Sequence, residues 1–193
     1  MRRKNKVSPA VSFRTLADGY CKSIKNGKRL IDDGMVLLKN ERYLGAINSF
    51  RLATEEIIKA HLLNQPVSYG EGDSEKWDWF WSAFRNHSEK QKVILWEFHR
   101  NNSRVCAEFN NVVKMMLSTR NDSIYVKFDP KAKRFLSPEE SLKFAGELQT
   151  VAELERKYAM TIFELFTISG MPTADMIEKV FIMQHDAETN KRN

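Results

Sequence analysis

An all-α bundle of four to six helices is predicted by three features of the chain. Apolar residues recur three, four and seven positions apart through most of its 193 residues. Glycine and proline are sparse, at eight and five, which disfavours a many-turned β architecture. IYVKF, at 124–128, is the one segment that alternates convincingly as a strand would.

The first helical stretch, residues 10–39, carries Leu16, Tyr20, Ile24, Ile31, Met35 and Leu38 at helical spacing. It reads as one long helix or as two joined near Asn26-Gly27. A second helix, over 41–64, has Leu44, Ile47, Phe50, Ala53, Ile57 and Ala60 as its core stripe. Pro66 ends it, because proline biases Gln65 away from helical angles. Residues 67–76, VSYGEGDSEK, read as a loop by composition. Trp77, Trp79, Phe80, Trp81 and Phe84 follow as an aromatic cluster holding three of the four tryptophans. Such density favours core or an oligomer interface over a base-stacking platform. A long helix is expected from about 88 to 120, then a short irregular segment near 121–136 with Asp129-Pro130 as a turn signal. Ser137 is a helix N-cap, Pro138 fits the first turn where no donor is needed, and Glu140 completes a capping box. That helix should run to about Ser169, where Gly170 and Pro172 stop it. A last amphipathic helix, 173–186, precedes a polar tail that should fray. The chain thus divides into a basic arm (1–12), a single helical domain (13–187) and a polar tail (188–193).

Hydrophobic residues at 42% and charged residues at 29% are ordinary for a globular domain, and the length suffices for a core without staples. Cys21 and Cys106 form no CxxC, which excludes a zinc ribbon and gives no disulfide framework. The four histidines, His61, His87, His99 and His185, show no metal-ligand spacing, so no metal or cofactor is expected. Walker, dinucleotide and nucleophile-elbow motifs are missing. No run of 18 apolar residues would span a membrane, and no apolar segment follows the basic start MRRKNK to make a secretory signal. The expected compartment is the cytoplasm.

The net charge of +6 is uneven: residues 1–30 hold nine Lys/Arg against one acid, Asp18. A basic arm on a nearly neutral body suits a phosphate backbone, or is simply a solvated terminus. Three polar clusters stand out beyond it. In the second helix, Glu56 projects into or beside the apolar stripe, where a carboxylate needs a partner, while Glu55 projects outward and can pair with Lys59. In Arg85-Asn86-His87-Ser88-Glu89-Lys90, His87 and Lys90 lie one turn apart, and a histidine beside a base can move protons near neutral pH or hold a phosphate. In Arg120-Asn121-Asp122-Ser123-Ile124-Tyr125, Arg120 can grip phosphate bidentately, or can compensate the helix C-terminus with Asn121 as its cap.

ATEEIIKA, WFWSAFRNHSEK and RNDSIYVKFD, followed by a Pro-initiated helix, resemble the abortive-infection protein V (AbiV) family of the HEPN superfamily. The likeness covers roughly residues 15–165. It implies a bacterial antiphage protein with a HEPN-type bundle, commonly dimeric, and HEPN proteins are often metal-independent endoribonucleases. On that likeness Arg120 and Asn121 match the family's Arg-Asn start, Glu56 and Lys59 its EExxK element, and His87 and Lys90 its HxxK element. Tyr125 stands where many HEPN nucleases have histidine, and no histidine follows Arg120 until His185. The resemblance thus implies Arg120, His87, Glu56, Asn121 and Tyr125 as catalytic candidates, with Lys59, Lys90 and Arg85 as phosphate-binding ones. The implied partners are a second protomer, RNA or the ribosome, and a phage-encoded activator. A second reading is a binding module that blocks translation or senses a phage protein without turnover.

Overall fold

The computed structural model describes residues 10–69, 73–86, 89–90, 127–131, 133–138, 148–167 and 170–192. Helix α1 (Phe13–Lys39) begins where the Ser12 hydroxyl accepts the Thr15 N–H at 3.2 Å. It is one continuous helix, so Asn26-Gly27 is not a break. Its glycines serve packing instead. A Cβ on Gly27 would lie 2.6 Å from Ile57 Cγ1, and one on Gly34 would lie 2.6 Å from Phe50 Cε1. Helix α1 closes at Asn40, whose side-chain amide donates to Val36 O at 2.7 Å, and Glu41 then adopts the left-handed φ of 57°. Helix α2 (Tyr43–Leu62) returns along α1. Gly19, Gly27 and Gly34 face Leu63, Ile57 and Phe50, so advancing along one helix means retreating along the other.

Helix α2 is the centre of the molecule. Ile47, Phe50, Ala53, Ile57 and Ala60 are buried as the stripe predicts, with Leu44 half-buried. Ala46, Arg51, Thr54, Glu55, Ile58 and Leu62 are buried too, because α1 covers one side and helix α4 (Leu148–Thr167) another. This overturns the outward placement of Glu55, which is only 3% exposed. A one-sided helical wheel assumes one solvated face, and at this position α2 has none.

After a 3-10 turn at Gln65–Ser68, helix α3 (Ser74–Arg85) buries Trp77, Phe80 and Ala83. Trp77 meets Tyr69 and Phe80 edge-on, with centroids 5.6 and 5.7 Å away, and Phe80 continues to Trp81 and Phe84. The aromatic cluster is therefore mainly core, with Trp79 facing out at 50% exposure.

Within the segment expected to be irregular, strands β1 (Lys127–Asp129) and β2 (Arg134–Leu136) pair antiparallel, with Phe128 opposite Phe135. Lys133 takes a left-handed φ of 52° in the turn between them. Pro138 is already helical behind Ser137, as the capping motif predicts, whereas 139–147 lie outside the described residues. The helix expected over 88–120 lies outside them as well, apart from residues 89–90.

Helix α5 (Ala174–Arg192) runs on through the tail that was expected to fray. Its buried face is held along its length. Phe181 lies against Tyr20 (6.4 Å), the His185 ring against Phe13 (5.3 Å), and His185 Nδ1 donates to Val67 O at 2.9 Å. Near its start, Asp175 and Glu178 both pair with Arg14. The described residues form five α-helices and one short hairpin, an all-α bundle. None of these helices is long and apolar enough to cross a membrane.

Candidate functional site

Glu56 sits at the half-buried edge of α2, one turn before Lys59, and the two side chains form an ion pair. The pairing therefore uses Glu56, not Glu55, because Glu55 points into the core. The Lys59 ammonium also lies 5.9 Å from the centre of the Phe84 ring. Phe84 is the residue before Arg85, so Lys59 ties the EExxK element to the last turn of α3. Arg85 is exposed, and its Nε donates to Trp81 O at 2.9 Å. Beyond Asn86 the Lys90 N–H returns to Asn86 O at 3.2 Å, which carries the chain into another helical turn. Lys90 is 2% exposed, with partners inside the protein. Of the eight residues singled out from the sequence, Glu56, Lys59 and Arg85 thus gather at the α2–α3 junction, and Lys90 lies buried just after it. His87, Arg120, Asn121 and Tyr125 lie outside the described residues.

One polar pair escaped sequence reasoning. Arg51 Nε donates to Glu155 Oε1 at 2.7 Å across the α2–α4 contact, with both side chains buried. Burial raises the Glu155 carboxyl well above its usual range, an effect opposed by the charge and hydrogen bond of Arg51. The Tyr158 hydroxyl, one turn on, is held protonated first by burial and then by Glu155. Glu155 Oε2 finds no hydrogen bond among the described residues. A signal was present: Arg51 is four residues from Ile47 and seven from Ile58, and Glu155 is four from both Val151 and Ala159, so both sit at apolar spacings.

The basic excess near the N-terminus is partly neutralised on α1 itself. Lys22 pairs with Asp18 (3.1 Å), Lys28 with Asp32 (2.6 Å) and Arg29 with Asp33 (2.7 Å), each one turn apart, while Arg14 is engaged by α5. A groove of about 640 Å³ opens elsewhere, beside Phe13, Tyr69, Trp77 and His185, and none of Glu56, Lys59 or Arg85 lines it.

Helices packed around a central α2, with the EExxK element turned onto the end of α3, place the chain among HEPN-type all-α bundles. The model of the HEPN-class family AbiV matches residues 15–154, and the chain belongs to that abortive-infection family. No curated protein and no solved structure matches it. The matched span includes all eight singled-out residues, ends within α4, and leaves α5 outside.

Proposed function

We propose that this bacterial abortive-infection protein acts in the cytoplasm as a metal-independent endoribonuclease, built from two protomers whose Arg120 clusters meet at a shared cleft. The observation that carries the reading is the family match over 15–154, which spans Glu56, Lys59, His87, Lys90 and the Arg120–Tyr125 segment together. The Lys59–Phe84 contact supports it by bringing the first of these elements to the start of the second. In the reaction, the 2′-hydroxyl of the RNA attacks the adjacent phosphorus and the bond to the 5′ oxygen breaks. This leaves a 2′,3′-cyclic phosphate and a free 5′-hydroxyl. Arg120 grips the phosphate and stabilises its developing charge. His87 takes the 2′-hydroxyl proton or protonates the leaving oxygen. Of the three phosphate-binding candidates, Arg85 at the end of α3 is the exposed one and is the one that meets the RNA backbone. Lys90, buried as it is, supports the chain beyond α3 from within and does not meet the RNA itself. Glu56 and Lys59 position the α3 end.

A binding module is the second reading, favoured by Tyr125 standing where nucleases of this superfamily often carry histidine. One experiment separates the two. Purified protein is incubated with total RNA from infected and uninfected cells in EDTA, beside Arg120→Ala and His87→Ala variants, and 3′ ends are mapped. Discrete cuts ending in cyclic phosphate, absent from both variants while RNA binding persists in His87→Ala, support the nuclease. Intact RNA bound equally by wild type and His87→Ala overturns it in favour of the binding module.

A further inference from the structure

The outward face of α5 is apolar where a solvated helix should be polar. Met176, Val180, Met183 and Ala187 are spaced four, three and four apart and all are exposed, Met183 at 71%. They lie on the side of the helix away from Phe181 and His185, which face α1 and the 3-10 turn. A single helix with apolar residues on both faces has two packing partners. The protein supplies the inner one.

We propose that this outer face binds the same face of a second copy of the chain, with the two α5 helices antiparallel. The charges beside the stripe select this occupant. The spacing is that of a heptad seam, and Lys179 and Asp186 occupy one flank of it, seven residues apart. In an antiparallel pair, Val180 of one copy lies against Met183 of the other, and Met176 against Ala187. Lys179 then reaches the other copy's Asp186, and the two-fold axis repeats the contact. Neither side chain makes a hydrogen bond or ion pair among the described residues, and Asp175, whose carboxyl feels the Lys179 charge, is itself paired with Arg14. A parallel pair would face Lys179 with the neutral Gln184 instead. Helix α5 has 19 residues, about 28 Å of axis, so a strip one helix wide falls well short of the ~800 Å² per partner of a stable complex. The association is therefore concentration-dependent, in the micromolar range. It does not depend on the Arg120 cleft, and its test needs no RNA.

The test is sedimentation velocity of the full chain over roughly 1–200 µM, bracketing the micromolar constant. Wild type shows an association step that Met183→Asp removes. Lys179→Asp and Asp186→Lys each weaken that step by about tenfold or more, because each places like charges together twice. The double variant Lys179→Asp/Asp186→Lys restores it to within about threefold. If the Arg120 cleft also joins protomers, Met183→Asp stops one association step short of wild type. Circular dichroism confirms that these surface variants keep their helices. Three outcomes overturn the proposal: identical sedimentation of wild type and Met183→Asp, single charge variants that associate like wild type, or a double variant no better than the singles.

Discussion

Replacing Gly34 with alanine tests whether α1 and α2 are in the tight contact described. Helix propensity alone would favour the change by about 1 kcal/mol at an interior position. The added methyl, however, would lie 2.6, 2.8 and 2.9 Å from three atoms of the Phe50 ring. Carbon contacts are comfortable at about 3.5–4.0 Å, so the ring or the helix must shift by about 1 Å. Phe50 has no solvent into which it can swing, being wholly buried. Overpacking of this kind costs about 1–3 kcal/mol, leaving a net loss of about 0–2 kcal/mol, centred on about 1. Gly19→Ala is the internal control. There the methyl meets Leu63 Cδ1 at 3.2 Å and Cδ2 at 3.6 Å, so the end of a flexible side chain need give only slightly and most of the propensity gain should survive. Urea unfolding followed by circular dichroism should then separate the two variants by about 2 kcal/mol, through the midpoint and not the slope. Equal stabilisation by both substitutions would refute the close packing of α1 on α2.

Further outcomes follow from the buried polar groups. Arg51→Met leaves Glu155 in the core without its cation and should cost about 3–5 kcal/mol at neutral pH. Because burial holds the Glu155 carboxyl above its unfolded value, its contribution is full below the ordinary carboxylate range and is lost as pH rises through the raised value. The Arg51→Met penalty should therefore shrink when urea midpoints are compared at pH 8 and pH 5, and equal penalties at the two would contradict the assignment. Burial also pushes the Cys21 thiol up. In a Cys106→Ser background it should react with a disulfide reagent far more slowly in native protein than in urea, and fast native labelling would place it at the surface.

The helices were legible because they rest on local spacing: Leu16, Tyr20 and Ile24 in α1, and Ile47, Phe50 and Ile57 in α2, all fall on buried faces. What spacing could not convey is how many neighbours a helix has. Glu55 reads as outward if α2 has one solvated side, and it is interior because α4 and the rest of the bundle close around it. Arg51 and Glu155 are 104 residues apart, and only the fold brings them together. Of the hairpin, the strand signal in IYVKF overlaps β1 at Lys127 and Phe128 and Asp129-Pro130 marks its turn, whereas the returning strand β2 was missed because three residues give too few alternations to register. At the candidate site, a one-turn ion pair of Lys59 was legible but its partner was not: spacing pointed to Glu55, and Glu56 takes the role because Glu55 is interior, while the contact of Lys59 with Phe84 joins two helices and has no signature in either. His87 and Arg120 were singled out by the chemistry of their side chains and, with Asn121 and Tyr125, given roles by motif likeness; all four lie outside the described residues.

The central position of α2 also bears on how this family diverges. The segment ATEEIIKA lies on that helix, with Ala53, Thr54, Glu55, Ile57, Ile58 and Ala60 all enclosed. Any change there alters the interior before it alters chemistry. A relative could therefore retain the six enclosed residues of this segment whatever its chemistry, since the surrounding helices admit little else, while the half-buried Glu56 and Lys59 are freer to change. Of the described candidates, Arg85, exposed at the end of α3, is the position where such relatives can differ without disturbing the interior.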